Sequence, residues 1–355
     1  MKYFFLSIAT YDYLSQLFCV ESSLSKNNSI IESYIFVIDG KKEHVDFLNN
    51  KFEDHPRKFK FFCFDNIQNY QEIFNNALNY YDNFEMSCLA KAIGSKYVLD
   101  QINTKDILVY CDADLYFTCS IDPLIQEMGD KSLFLTPHIL HKEKDSKDEQ
   151  GYLIHGWINA GFMIFKKGNP LINEMLDWLI DRIYLRGFNA PSLSMFVDQA
   201  WVSALPYLFR DVICISSNPS SNVAYWNLNE REITKDYKFN KYQVNSENLI
   251  FFHFSGYSMN NTKVLSKHFD FKRTKKDYPQ IFSLIEEYNV ALLDADNIEI
   301  DLSSLNIDLY KFSNEKLRKR ILISEQLNQI SLINPTHEVG ILSKLARKIE
   351  ALILK

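Results

Sequence analysis

Four short stretches of the chain are apolar almost without interruption: YFFLSIAT (3–10), SYIFVIDG (33–40), KFKFFCF (58–64) and the start of ILVYCDADLYF (107–117). Each is rich in aromatic and β-branched residues and has the length of a strand, and unbroken apolar runs predict strands buried in a sheet. Between them the period changes. LSQLFCVESSLSKN (14–27) repeats its apolar positions at helical spacing, and so does the long stretch from about Ile73 to Gln101 that contains MSCLAKAIGSKYVLDQ. Strands alternating with helices predict an α/β fold with a mostly parallel sheet, whose ligand chemistry gathers at the carboxyl ends of the strands. Asp112 and Asp114 stand at such an end.

Composition narrows the classes of function. The 355 residues are 46% hydrophobic and 24% charged, enough for one large domain or two modest ones. Net charge is −6 and no run of lysine or arginine is dense enough to track phosphates, so no nucleic-acid partner is expected. Anionic ligands must then be handled by a few local groups. Cys19, Cys63, Cys88, Cys111, Cys119 and Cys214 form no CxxC pair and lie partly in apolar stretches, the habit of reduced cytosolic thiols rather than of a zinc site. The N-terminal MKYFFLSIATYDY has a short apolar run, lacks a small-residue cleavage site and is interrupted by Asp12, so it reads as a first core strand and not a signal peptide. No run approaches the roughly eighteen apolar residues of a transmembrane helix, and a cytoplasmic chain is expected.

Two carboxylates one residue apart would repel each other at the end of a buried strand. A hard divalent cation removes that repulsion, and magnesium or manganese on such oxygens keeps positions free for substrate phosphates. The competing reading is a pair of turn aspartates ahead of a helix at IDPLIQEM.

Further segments follow in order: INAGFMIF (158–165), FVDQAWVSALP (196–206), NPSSNVAYWNLNER (218–231) and FFHFSGY (251–257). With YCDADLYF and the N-terminal strand, helix and strand, they resemble the bacterial sugar-nucleotide-dependent glycosyltransferases of the GT-A fold. The likeness is to those related to the retaining galactosyl- and glucosyltransferases with a D-x-D, N-A-G, D-Q and H-x-x-G series, and it covers about residues 3 to 285. It implies a Rossmann-like, mostly parallel central sheet flanked by helices, a catalytic domain over 1–285, and a mainly helical C-terminal extension over 286–355.

Residue roles follow from the same resemblance. Asp112, Asp114 and His253 would hold Mn2+ or Mg2+, with Asp112 also touching the ribose. His253 among Phe251, Phe252 and Phe254 has a core histidine as its other reading. Asn159, Ala160 and Gly161 would form the turn under the donor sugar, or simply a turn leading into a strand. Asp198 and Gln199 would face the sugar, Asp198 gripping hydroxyls and Gln199 lying near the anomeric carbon; Asp198 also suits a helix N-cap. Lys91 would touch the donor or orient the aspartates, against the alternative of a solvated helix lysine. Gly256 of the H-x-x-G segment counts among the donor-binding residues. Lys267 would cap the departing diphosphate, with Lys263 as rival, and Thr10 and Tyr13 would hold the nucleotide base, Tyr13 suiting the core equally.

The implied activity is transfer of a hexose from a nucleotide-sugar donor, UDP-linked, to a hydroxyl of a cell-surface glycan or lipid-linked acceptor, with retention. The alternatives are a protein O-glycosyltransferase, a catalytically inert carbohydrate-binding protein on the same fold, and a phosphohydrolase. The last fits poorly, because its D-x-D stands near the N-terminus and Tyr116 replaces its Thr or Val. Beyond 285 the chain is polar and asparagine-rich. It ends in GILSKLARKIEALILK, where Leu342, Leu345, Ile349 and Leu352 share one helical face and Lys344, Arg347, Lys348 and Lys355 lie largely elsewhere. Residues 341–355 therefore suit peripheral contact with a membrane surface, a homodimer contact, or docking on the core.

Overall fold

A computed structural model describes residues 1–143, 146–239, 241–261, 264–268, 278–298, 300–312 and 317–324. The first apolar run forms strand β1 (Tyr3–Ala9), followed by helix α1 (Leu14–Asn27), strand β2 (Ile30–Val37), helix α2 (Lys42–Lys51) and strand β3 (Phe59–Phe62). Helix α1 buries Leu14, Leu17, Phe18 and Leu24, the spacing that gave its helical period. The single long helix expected next is two helices, α3 (Gln71–Ala77) and α4 (Asn83–Gln101). Asp82 makes the break. Its carboxylate accepts the Glu85 N–H at 2.9 Å while the Glu85 side chain accepts the Asp82 N–H at 3.1 Å. That reciprocal capping box starts a new helix, and the spacing D-x-x-E announces it in the sequence.

The chain continues through β4 (Ile107–Cys111), β5 (Leu115–Phe117), α5 (Asp122–Met128), β6 (Leu133–Pro137), α6 (Ser146–His155), β7 (Ile158–Lys166) and α7 (Pro170–Arg186). A hairpin of β8 (Asn189–Ala190) and β9 (Met195–Phe196) precedes the short helices α8 (Gln199–Val202) and α9 (Leu205–Leu208) and strand β10 (Ile213–Ile215). Then come β11 (Val223–Ala224), β12 (Ile233–Asp236), β13 (Lys241–Val244), β14 (Glu247–Asn248), β15 (Phe251–His253) and helix α10 (Pro279–Asp296).

Seven of these strands make the central sheet, in the order β10-β6-β7-β4-β1-β2-β3. All its pairings are parallel except those of β7, which runs antiparallel to both β4 and β6. The expected α/β class with a mostly parallel, helix-flanked sheet is thus the observed one. Alternate residues of β1 feed two cores: Phe5 joins Leu17, Phe18 and Phe251, while Phe4, Leu6 and Ile8 join Leu89 and Ile93 of α4. Because β7 is reversed, its first residues, Asn159 to Gly161, lie at the carboxyl end of β4. A small sheet, β11-β15-β5, packs beside that end.

Past α10 the described chain crosses the carboxyl ends of β1, β2 and β3. The Tyr11 hydroxyl donates to the Ile300 carbonyl at 2.6 Å, His44 Nε2 lies 2.9 Å from the Ile307 carbonyl, and the Tyr310 N–H donates to the Asp39 carbonyl at 2.8 Å. Tyr310 also donates its hydroxyl to Asp65 at 3.0 Å and sets its ring edge-on against Phe74. Residues 317–324 are helical, and Arg318 pairs with the fully buried Glu85 at 2.6 Å. The basic stretch 341–355 lies outside the described residues. No described helix is long and apolar enough to cross a membrane.

Candidate active site

Strand β4 ends at Cys111, whose carbonyl accepts the Ser7 hydroxyl at 2.6 Å, and Asp112 follows with its N–H donated to the Gly161 carbonyl at 2.7 Å. Strand β15 pairs antiparallel with β5 and sets His253 opposite Leu115, the residue after Asp114. His253 Nε2 consequently lies 3.0 Å from Asp114 Oδ1. The other ring nitrogen, Nδ1, is 3.1 Å from Asn222 Oδ1, an acceptor that places the proton on Nδ1 and turns Nε2 toward the carboxylates. Asp112, Asp114 and His253 offer ligand atoms all within 4.8 Å of one another and form a group able to hold a metal ion. Gly161 leaves them room: a Cβ there would come within 2.7 Å of His253 Cε1 and 3.0 Å of Asp112 Oδ2.

Charge at this point is unbalanced. Lys91 of α4 is buried, and its Nζ stands 3.2 Å from Asp112 Oδ1 and 3.2 Å from Asp198 Oδ2, so it is not a solvated helix lysine. Burial opposes the charge on Lys91, but the two carboxylates outweigh it and hold the ammonium above its ordinary pKa. Burial likewise works to raise the Asp114 carboxyl, yet the adjacent His253 holds it below the usual value. Tyr110, pushed up by burial and then by Asp112, stays a neutral phenol and donates to that carboxylate. Three carboxylates therefore share one lysine and one imidazole. A divalent cation would offset the excess, and the oxygen, oxygen and imidazole donor set suits manganese or magnesium.

Asp198 occupies the N-cap position of α8 but makes no capping hydrogen bond, so the capping role the sequence allowed is not formed. Its side chain turns inward to Lys91. Val197 before it holds φ at 41°, a strained conformation for a β-branched residue, at the point where the chain enters α8.

These groups line one cleft of about 1070 Å3, which also takes in Asn159 and Gln199. Ala160 is buried behind the lining, its carbonyl 3.4 Å from Lys91 Nζ. Gly256 has φ +70°, and a side chain there would overlap His268. Lys267 is exposed, does not line the cleft, and donates its backbone N–H to the Gly256 carbonyl at 2.9 Å; its neighbour His268 lines the cleft instead. Lys263 lies outside the described residues. Thr10 is buried and Tyr13 is 57% exposed, and neither lines the cleft.

Sequence reasoning missed several lining or supporting residues: His138, Tyr152, His155 and Trp226 in the wall, and Asn222 behind His253. Asn222 and Trp226 belong to the NVAYWNL stretch that carried the resemblance, so that stretch held a usable signal. His138, Tyr152 and His155 had none, because they reach the cleft only through the placement of β6 and α6.

No family model matches the chain. It is 29% identical over 213 residues to the uncharacterized protein YfnF of Bacillus subtilis (strain 168), covering 58% of this chain and 67% of that protein. Among solved structures, the galactosyltransferase LgtC in complex with donor and acceptor sugar analogs aligns over 84% of this chain and 98% of its own, at 13% identity and a TM-score of 0.49. The glycosyltransferase GlyE of Streptococcus pneumoniae TIGR4 aligns over 84% of this chain and 64% of its own, at 15% identity and a TM-score of 0.46. Mouse xyloside xylosyltransferase 1 aligns over 71% of this chain and 97% of its own, at 11% identity and a TM-score of 0.42.

Proposed function

We propose that the chain is a metal-dependent glycosyltransferase of the GT-A fold that moves a hexose from a UDP-linked donor to a hydroxyl of a cell-surface glycan or lipid-linked acceptor, with retention. The observation that carries this reading is the excess of carboxylate at the carboxyl end of β4: Asp112, Asp114 and Asp198 around one lysine, with His253 poised beside them. Such a cluster suits a divalent ion and, through it, a diphosphate. Asp112, Asp114 and His253 would hold Mn2+ or Mg2+, which when bound supplies positive charge to the leaving diphosphate.

This chain's own residues do the rest. Lys91 bridges Asp112 and Asp198 and fixes their spacing. Asp198 accepts hydrogen bonds from the sugar hydroxyls, and Asn159 to Gly161 let the sugar approach the backbone of β7. Gln199 sits beside the anomeric carbon. It is a weak nucleophile, so the acceptor hydroxyl attacks from the face the diphosphate leaves. Thr10 and Tyr13 would hold the base, Gly256 would border the donor, and Lys267 would cap the departing diphosphate. The catalytic domain is 1–285, with 286–355 as an extension whose last residues, 341–355, contact an anionic membrane surface or a second copy of the chain.

Incubating a panel of nucleotide sugars with and without manganese is the direct experiment. Metal-dependent release of the nucleoside diphosphate from one donor is expected, and proton NMR of the first-formed product should show the donor's anomeric configuration retained. Full activity in chelator would sink the metal site, and an inverted product would remove retention.

A further inference from the structure

A row of polar groups shows what holds the Gln199 amide. Asn159 Oδ1 accepts the Gly161 N–H at 3.1 Å, which orients its carboxamide with the nitrogen turned the other way. That nitrogen faces two acceptors, His138 Nε2 at 3.4 Å and Gln199 Oε1 at 3.4 Å. Gln199 Nε2 in turn donates to the His155 carbonyl, the last residue of α6, at 2.7 Å. Donors and acceptors alternate along this row only if His138 Nε2 carries no proton. With a proton there, two N–H groups would oppose each other, and Asn159 could relieve the clash only by turning over and giving up its bond to Gly161, beside Asp112 and His253.

His138 is otherwise a costly residue at its place. It is 7% exposed, and its Nδ1 is buried with no well-formed hydrogen bond, facing only the backbone of Gly156 and Trp157. A polar atom left unmatched inside a protein asks for a compensating role. Burial pushes the ring's pKa down to about 3, so the imidazole is neutral at neutral pH and acts as a hydrogen-bond partner, not a cation. The Trp226 ring stands edge-on to it at 5.4 Å, and the Tyr152 ring lies at 5.6 Å, which fixes its plane.

We propose that His138 is a positioning residue that, through Asn159, sets the orientation of the Gln199 side chain in the wall of the cleft. The kinetic consequence rests on the glycosyl transfer proposed above; the tautomer is a property of the protein alone. Nitrogen-15 spectra of the labelled full-length chain at pH 7 should show His138 protonated at Nδ1 and bare at Nε2. A ring protonated at Nε2 would overturn the proposal whether or not the protein transfers sugar. His138→Leu keeps bulk and removes the acceptor, and should lower kcat by about 10- to 100-fold with donor KM changed by no more than about twofold. His138→Gln returns an acceptor near the Nε2 position and should recover most of that loss. If the Gln variant is as impaired as the Leu variant, or the Leu variant turns over like the parent, His138 only fills space and the proposal fails. Should the Leu variant not fold, the spectrum and the Gln variant decide: a Gln variant with less than about a tenth of parental kcat overturns it.

Discussion

The carboxyl edge of the central sheet has two halves that treat their acidic groups in opposite ways. Over β1, β2 and β3 the edge is covered by residues 300–312, and its carboxylates are matched: Asp39 accepts the Tyr11 N–H at 2.8 Å, and Asp65 accepts the Lys42 N–H at 3.0 Å and the Tyr310 hydroxyl at 3.0 Å. Over β4, β7 and β6 the edge faces the cleft, and among the described residues Asp112, Asp114 and Asp198 outnumber their cations. Carboxylates hydrogen-bonded in this way tie neighbouring segments together, even where burial works against their charge, as at Asp39. Unmatched ones held close by packing keep a place for a ligand, because repulsion between them is offset only when something positive arrives.

The largest expected effect comes from the half that faces the cleft. Asp114→Asn should lower sugar transfer at least about 100-fold with only a small loss of melting temperature, since it removes a ligand and a charge that His253 favours but no core packing. Initial rates and thermal melting measure both, and a loss of stability matching the loss of activity would make this half structural like the other. Gly161→Ala separates the cavity from its ligands. It should weaken Mn2+ binding in calorimetry by at least about tenfold with every ligand in place, because the new methyl fills the space between His253 and Asp112. Unchanged affinity would show that the ion sits elsewhere.

Contacts made by the chain that returns after α10 should respond in stability. Arg318→Met leaves Glu85 buried without its cation and should cost about 3–5 kcal/mol in urea unfolding, with turnover per folded molecule little changed. A cost below about 1 kcal/mol would mean that Glu85 has other compensation.

Asp39 adds a pH test. Burial raises its pKa to about 6 against the lowering effect of the Tyr11 N–H, while the unfolded chain keeps a value near 3.8. Between these two values the folded state holds a proton that the unfolded state has lost. This group's contribution therefore makes stability fall as pH rises through that window, by about 3 kcal/mol in all. Asp39→Asn keeps an acceptor for Tyr11 and should abolish that slope; parallel profiles for parent and variant would refute it. The smallest effect is that of Tyr310→Phe, which loses the bond to Asp65 and should cost about 1 kcal/mol with no change in donor KM.

Much of this molecule is written locally. Apolar runs and helical periods gave the strands, the helices and the parallel sheet, because side-chain burial repeats with the period of the element that buries it. The capping box at Asp82 was equally local, and so was the placement of Asp112 and Asp114 at a strand end. Partnerships across the fold were not. Nothing near Asn159 says that β7 runs antiparallel and brings Gly161 beneath His253. Asn222 and His253 are 31 residues apart, and Asn159 and His138 are 21 apart. The matched and cleft-facing halves of the edge differ only because residues 300–312 return, 289 positions after Tyr11, to cover one and not the other. Period encodes which face of a segment is buried. Strand order, register and the path of a returning segment depend on how whole layers pack, and they decided which of the chain's carboxylates were paired and which were left facing a cleft.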